Sequence, residues 1–224
     1  MGGALLILFI LFTLSLKFIN VQQIGPEGSS VAYARINQTV HELFGVHMWL
    51  YNITDWAGAW AIFIALGFAV IGLVQWIKRK SIMKVDSSIL CLGVFYLLVF
   101  GCYVFFEVCV INHRPILIGG ILEASYPSST TMLAMCVLPT AMVQFHRLIQ
   151  NNKIRNVVNV LCGLFTVFMV IGRLVCGVHW FTDILGGFIF SAAMILLYCG
   201  ANNYIDSIKH RENTKEHCII VHIV

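Results

Sequence analysis

Apolar residues in this chain gather into long stretches that short polar connections separate. A helix needs about 20 mostly apolar residues to cross the hydrocarbon core of a bilayer. Six stretches approach this length, and each is predicted to form a membrane-spanning helix: 2–19, 57–77, 88–106, 131–149, 157–175 and 180–199. The pattern therefore predicts an all-α integral membrane protein, with a single six-transmembrane helix bundle over residues 1–200 and a polar tail over 201–224.

The longest polar connection, residues 20–56, has a pattern of its own. Between Val31 and Tyr51 apolar residues recur at helical spacing. The tryptophans at Trp49 and Trp56 are typical of a membrane–water interface. We expect an amphipathic helix that lies on the bilayer at the extracytoplasmic side and roofs the bundle.

Composition agrees with a membrane protein. Of 224 residues, 59% are hydrophobic and 11% are charged, against roughly 25% charged in a typical soluble domain. The eight cysteines lie mostly inside apolar stretches and form no Cys-x-x-Cys pair, which favours core residues over disulfides or a zinc site. No metal, cofactor or nucleic acid is expected, the bilayer is the expected partner, and nothing indicates a protein partner. A pump or channel is disfavoured because no charged residue falls mid-span in stretches two to six.

The distribution of Lys and Arg predicts the orientation. Ten of them fall in the connections 78–86 and 146–156 and in the tail 201–224, and four fall at the other ends of the stretches. The ten-residue side is expected to be cytoplasmic, with both termini there. The protein would then be a multi-pass cell-membrane protein whose connections 107–130 and 172–187 face outward.

The connection 172–187 carries three ionisable residues, Arg173, His179 and Asp183. Ionisable groups at the end of a membrane segment are expensive and are functional candidates by default. If a helix begins near His179, then His179 and Asp183 share a face and can hydrogen-bond. A carboxylate on one ring nitrogen leaves the other free to act as a nucleophile, base or ligand. The alternative is an interfacial polar cluster that only anchors a helix end.

The connection 107–130 supplies a second set of polar residues. Pro127 is followed by hydroxyl residues before an apolar stretch, which is typical of a helix start; these residues are Ser128, Ser129, Thr130 and Thr131. A helix N-terminus can bind phosphate, or the hydroxyls can serve as an ordinary cap. Arg114 favours the first interpretation, because a guanidinium binds phosphate in a bidentate manner. Together with Arg173 and the His–Asp pair, these residues indicate a phosphate pocket with a nucleophile.

These residues resemble the motifs of the type 2 phosphatidic acid phosphatase (PAP2) superfamily, which shares its core with vanadium haloperoxidases. The third motif, Ser-Arg-x5-His-x3-Asp, is matched by Arg173, His179 and Asp183, with Gly172 for Ser. The first, Lys-x6-Arg-Pro, is matched at Arg114-Pro115 with Glu107 for Lys. The second, Pro-Ser-Gly-His, is matched at Pro127-Ser128, with Ser129 for Gly and Thr130 for His.

The resemblance implies a PAP2/haloperoxidase-like core and a metal-independent phosphatase that acts on lipid phosphates at the outer face. It assigns His179 as the nucleophile, through a phosphohistidine, and Asp183 as its orienting partner. The phosphate ligands would be Arg114, Arg173, Ser128, Ser129 and Thr130. Thr130 cannot replace the family's histidine as a general acid, since its hydroxyl does not titrate near neutrality. A polyprenyl diphosphate, whose leaving phosphate needs less protonation, is therefore favoured over phosphatidic acid, with His113 and Glu123 as candidate substitute acids.

Three hypotheses remain open. The protein is a lipid-phosphate or polyprenyl-diphosphate phosphatase, or it is a catalytically weak or silent lipid-phosphate binder, which the changes at Glu107 and Thr130 favour. A third hypothesis is phosphotransfer from a lipid donor to an envelope acceptor through the same phosphohistidine.

Overall fold

The computed structural model describes the backbone of residues 1–221 and the side chains of residues 1–209 and 211. Within those residues the chain forms helices and no strand, which confirms the predicted all-α class. The helices are α1 (Gly2–Ser15), α2 (Ala34–Phe44), α3 (Met48–Arg79), α4 (Ser87–Val108), α5 (Ser129–Leu148), α6 (Asn152–Val175) and α7 (Phe181–Val221). The predicted tail 201–224 continues α7 as far as Val221, and residues 222–224 lie outside the described part of the chain.

Several of these helices suit a membrane. In the described residues, α3, α4, α6 and α7 up to Lys209 are long and apolar enough to cross one, and α1 is apolar but shorter. The remaining predicted span, α5, lies at the centre of the bundle against α3, α4, α6 and α7. It buries polar residues such as Thr131, Thr140 and Gln144. Its neighbours shield these side chains from lipid, so α5 does not need an apolar surface.

The connection 20–56 folds differently from its pattern in one respect. An amphipathic helix is present, but it is the short α2, which ends at Gly45 with a positive φ of 69°. After it, α3 begins at Met48, nine residues before the stretch 57–77 that was expected to span. No proline or glycine lies between Met48 and Ala57, so nothing in that segment interrupts the helix. The interfacial residues Trp49 and Trp56 consequently belong to the first turns of α3.

α2 fixes the start of α7 through one asparagine. Asn37 is fully buried. Its amide donates to the carbonyl of Ala32 at 2.8 Å and to Oγ1 of Thr182 at 3.0 Å. Its side-chain oxygen accepts from the backbone N–H of Thr182 at 3.1 Å. This N–H is an unpaired donor in the first turn of α7, so Asn37 takes the place of a capping residue and holds that turn in position.

The connection between α4 and α5 forms a small hairpin at the same end of the bundle. His113 and Ala124 form an isolated antiparallel bridge. The N–H of Arg114 donates to the carbonyl of Glu123 at 3.1 Å, and the N–H of Ser125 donates to the carbonyl of Asn112 at 2.9 Å. Asn112, Arg114 and Ser125 are therefore brought side by side next to the starts of α5 and α7.

Candidate active site

His179 lies in the short loop between α6 and α7, and its side chain is 4% exposed. Nη2 of Arg173, in the last turn of α6, lies 3.3 Å from Nε2 of His179. Nη1 of Arg114 lies 3.5 Å from the same nitrogen. A guanidinium can only donate hydrogen bonds, so Nε2 is the accepting nitrogen with a free lone pair. The ring proton is therefore on Nδ1.

Ser125 connects this ring to Asp183. Its Oγ lies 2.9 Å from Nδ1 of His179 and 2.5 Å from Oδ2 of Asp183. Nδ1–H donates to the hydroxyl, and the hydroxyl donates to the carboxylate, which is the one arrangement that satisfies all three groups. Ser125, at 3% exposure, thus forms a buried relay between the imidazole and the carboxylate.

Asp183 is held from two further sides. Nδ2 of Asn112 donates to Oδ1 at 2.9 Å, and the backbone N–H of Trp180 donates to Oδ2 at 3.0 Å. The indole of Trp180 in turn donates to the carbonyl of His113 at 2.8 Å. Three donors around a fully buried carboxylate stabilise its charged form, and they fix its orientation.

The direct hydrogen bond that the sequence spacing predicts between His179 and Asp183 is absent from the described residues. The spacing rule requires both residues to be inside one helix. α7 begins only at Phe181, so His179 precedes the helix and the spacing rule does not apply to this pair. The gap between the two side chains is filled by Ser125, which the sequence analysis missed. Its only signal was its place two residues before Pro127, in the same hydroxyl-rich segment.

The environment of His179 favours the neutral ring. Burial is the main cause that lowers the pKa of His179 well below its ordinary value, and the positive charges of Arg114 and Arg173 lower the pKa further. A neutral imidazole with its free lone pair on Nε2, aimed between two guanidiniums, can act as a nucleophile near neutral pH.

The start of α5 lies beside this cluster. Ser128 is the residue before the helix, and its side chain caps no N–H of the first turn. Its hydroxyl instead accepts from Oγ1 of Thr131 at 3.0 Å, and its N–H donates to the carbonyl of Asp183 at 3.1 Å. The alternative of an ordinary side-chain cap is therefore not what the structure adopts. Ser129 and Thr130 follow in the first turn, where backbone N–H groups have no partner within the helix.

One face of α3 packs against Arg173 and forms a wall of the site that the sequence did not predict. Oγ1 of Thr54 accepts from Nη1 of Arg173 at 3.3 Å, and Oδ1 of Asp55 lies 3.7 Å from the same Nη1. The ring of Tyr51 lies under the guanidinium of Arg173, 4.9 Å from its central carbon. Thr54 also explains Gly172, since a Cβ there would lie 2.7 Å from Cγ2 of Thr54.

The two candidate substitute acids, His113 and Glu123, lie on the hairpin between α4 and α5. Oε2 of Glu123 lies 3.0 Å from Nε of Arg114 and forms an ion pair with it. His113 contributes its backbone to the hairpin and to Trp180. Glu107 lines a small cavity with Ser129 and His179. Where all side chains are described, no group of three or more His, Cys, Asp and Glu residues could hold a metal ion.

An open apolar cleft of about 1040 Å³ runs from this site along the bundle between α3 and α4. Asp55, Tyr103, Ser129 and Thr130 line its end at the site. Trp76 and Ile82 lie at its opposite end, and the residues between are almost all apolar. The cleft has the shape and polarity to hold a long hydrocarbon chain.

Comparison with known proteins identifies the fold. A crystal structure of a transmembrane PAP2-type phosphatidylglycerolphosphate phosphatase from Bacillus subtilis matches with a TM-score of 0.62, over 91% of this chain and 96% of that one, at 21% identity. At that identity the match establishes the fold alone: this is a multi-pass membrane protein with the transmembrane PAP2 architecture.

The sequence comparisons assign the family. The model of the PAP2 superfamily matches residues 95–205, which include every residue of the three motifs. Phosphatidylglycerophosphatase B of Bacillus subtilis (strain 168) is 32% identical over 88 residues, which cover 39% of this chain and 43% of that protein. The match thus spans less than half of that relative's length. The chain belongs to the PAP2 superfamily, as the resemblance of its motifs predicts.

Proposed function

We propose that this protein is a lipid-phosphate phosphatase that works through a phosphohistidine at His179. The observation that carries the proposal is the arrangement around the imidazole. Nε2 lies 3.3 Å and 3.5 Å from the two guanidiniums, while Nδ1 is held by Ser125. A phosphate bound by both arginines would have its phosphorus next to the free lone pair.

The reaction follows from these contacts. Nε2 of His179 attacks phosphorus, the bond to the leaving oxygen breaks, and the phosphoryl group is carried on the ring. Arg114, Arg173 and the N–H groups of Ser129 and Thr130 stabilise the charge on the phosphoryl oxygens. The ring becomes positively charged, and the Ser125–Asp183 relay stabilises that charge without moving a proton. Water then attacks phosphorus, releases inorganic phosphate and restores His179.

The cleft supports a lipid substrate. Its apolar walls begin at Ser129 and Thr130, so a headgroup phosphate at the site would leave acyl or prenyl chains in the cleft. Phosphatidylglycerophosphate, the substrate in the name of the Bacillus subtilis relative, is one candidate. Phosphatidic acid and a polyprenyl diphosphate are the others.

We also propose that the site faces outward, on a six-span bundle made of α1 and α3–α7 with both termini in the cytoplasm. Basic residues gather at the end of the bundle away from His179, in the α3–α4 turn, around the α5–α6 turn and late in α7. Such residues favour the cytoplasmic side. The orientation can be tested by replacing all eight native cysteines by serine, placing a single cysteine at position 83 or at position 121 and labelling each chain with a membrane-impermeant maleimide. Only position 121 should react in sealed right-side-out vesicles.

The test of activity is phosphate release from the three lipids in detergent by the native chain and by His179→Ala. The native chain should release phosphate from at least one lipid, with an acid-labile phosphohistidine, and the variant from none. A second candidate, a silent lipid-phosphate binder, is favoured by Thr130 at the family's histidine position. Equal inactivity of both chains together with retained lipid binding would support the binder and overturn the phosphatase.

A further inference from the structure

The group that protonates the leaving oxygen is the missing part of the proposed reaction. An in-line displacement places the leaving oxygen opposite the attacking Nε2 of His179. The lipid chains extend from that oxygen, so it must face the cleft between α3 and α4. Among the residues that line this cleft, Asp55 is the one carboxylic acid, and it lies at the end next to Ser129 and Thr130.

We propose that Asp55 is the general acid and base of the reaction, a role that none of the three motifs assigns. The inference rests on the proposed phosphatase function and names a further catalytic residue for it.

The guanidinium of Arg173 lies near both Asp55 and the nucleophile His179. Nη2 of this guanidinium lies 3.3 Å from Nε2 of His179, whereas Nη1 lies 3.7 Å from Oδ1 of Asp55. A phosphate bound by Arg173 therefore has the imidazole at one edge of the guanidinium and the carboxyl at the other. This is the order that an in-line transfer needs.

The packing of α3 against the start of α5 brings Asp55 near Thr130. Gly58, one turn after Asp55, packs against Thr130, and a Cβ on Gly58 would lie 3.4 Å from Cγ2 of Thr130. Asp55 and Thr130 therefore lie on adjoining walls of the same end of the cleft. An acid on α3 can reach the leaving oxygen from the neighbouring wall.

Asp55 is also less tightly paired than the other carboxylates near arginine. Its distance to Arg173 is 3.7 Å, compared with 2.8 Å for Arg79–Asp86 and 3.0 Å for Arg114–Glu123. Its side chain is 55% exposed and open to the cleft. The other titratable groups close to the arginine pair are Tyr51, Glu123, Cys176 and His179 itself.

The proton balance closes without any other reactant. In the first step the carboxyl of Asp55 gives its proton to the leaving oxygen as the P–O bond breaks and the N–P bond to His179 forms. In the second step the carboxylate of Asp55 takes a proton from the attacking water as the N–P bond breaks. The cycle ends with a protonated Asp55, a free His179, the dephosphorylated lipid alcohol and inorganic phosphate.

The experiment compares Asp55→Asn with the native chain on two phosphate esters. The leaving group of phosphatidic acid is an alkoxide, which needs a proton. The leaving group of p-nitrophenyl phosphate is a stable phenolate, which does not. Single-turnover phosphorylation by phosphatidic acid should fall by about 10²–10⁴-fold in the variant. With p-nitrophenyl phosphate the variant should still release a burst of one equivalent of p-nitrophenolate. It should then accumulate as the phosphohistidine form, since the base of the second step is missing.

Two further variants complete the design. Asp86→Asn makes the same chemical change at the far end of α3 and α4, on a carboxylate that is also half exposed and paired with arginine, and it should keep native rates. Adding Thr130→His to Asp55→Asn should restore part of the rate with phosphatidic acid.

Several outcomes would overturn the inference. An equal loss in the single-turnover rate of phosphohistidine formation from both esters would mean that Asp55 only positions Arg173. No loss on either would remove Asp55 from the chemistry, and a selective loss in Glu107→Gln with none in Asp55→Asn would assign the role to Glu107. Inactivity of the native chain on both esters, on phosphatidylglycerophosphate and on a polyprenyl diphosphate would instead overturn the phosphatase function, and the inference with it.

Discussion

The two sides of His179 are built in opposite ways. On the Nδ1 side, Ser125, Asp183 and Asn112 are at most 3% exposed, and each has its hydrogen-bond partners within the protein. On the Nε2 side, beyond the arginines, α3 and α4 leave a cleft of about 1040 Å³ whose end carries the half-exposed Asp55. The first side fixes one ring orientation and one tautomer. The second leaves room for a substrate.

The difference separates two requirements of catalysis. A nucleophile must be held within a fraction of an ångström of its working geometry, which buried and fully paired polar groups provide. A lipid with long chains instead needs an open path from the bilayer, and apolar walls suffice for that. Changes on the Nδ1 side should therefore lower the rate of chemistry, and changes along the cleft should alter which substrate is used.

The largest effect is expected for Asp183→Asn. An amide has an NH2 group where the carboxylate accepts from Ser125, Asn112 and Trp180, so one donor must face another, and the ring loses its negative partner. We expect kcat to fall by on the order of 10³-fold or more, measured as phosphohistidine formation with p-nitrophenyl phosphate. Asp206→Asn, which alters a surface pair with Arg147, is the matched control. A loss confined to KM would contradict a role in orienting His179.

Ser125→Ala should have the next largest effect. It breaks the hydrogen-bonded link by which Asp183 orients the ring and stabilises its charge, so we expect kcat to fall by roughly 10–100-fold, or about 1.4–2.7 kcal/mol of transition-state stabilisation. Ser191→Ala removes an equally buried hydroxyl from α7, away from the site, and should be close to native in rate. If both variants lose activity alike, the loss reflects packing and not the relay.

The contrast between the two sides also explains what the sequence could predict. Long apolar stretches predict helices wherever they occur, and Arg173, His179 and Asp183 are close enough in sequence for their spacing to indicate one site. Ser125, Asn112 and Thr54 meet their partners across 54, 71 and 119 positions. No local periodicity encodes such contacts, because they depend on how the hairpin and α3 pack against α6 and α7.

The cleft side can be tested by filling it. Gly93 of α4 lines the cleft, and a Cβ on it meets no atom within 4 Å, so Gly93→Phe should occupy the cleft without disturbing the bundle. Excluding about two methylenes of a lipid chain, at about 0.8 kcal/mol each, predicts roughly a tenfold lower kcat/KM for long-chain lipids. The rate with p-nitrophenyl phosphate should not change.

Gly101→Phe is the matched control for that variant. Gly101 is on the same helix and is equally free of neighbours, but it does not line the cleft. Gly101→Phe should leave the rates with the lipid and with p-nitrophenyl phosphate unchanged. An equal loss for the lipid in the two variants would mean that the chain does not lie between α3 and α4.

The smallest expected effect is on the pH dependence of kcat/KM, which reports the protonation of the His179 ring between the two sides. Burial and the charges of Arg114 and Arg173 lower the pKa of His179, so the neutral nucleophile should persist below pH 6.5, the ordinary histidine value. Arg114→Gln removes one of those charges, and the pKa of His179 should then rise. The acid limb of kcat/KM should move to higher pH by up to about one unit. Dividing the rate of the variant by that of the native chain at each pH removes the contribution of substrate ionisation. Arg35→Gln, on the exposed surface of α2, is the matched control and should leave the acid limb in place. If the acid limb does not move to higher pH in Arg114→Gln, the charge of Arg114 does not contribute to keeping His179 neutral.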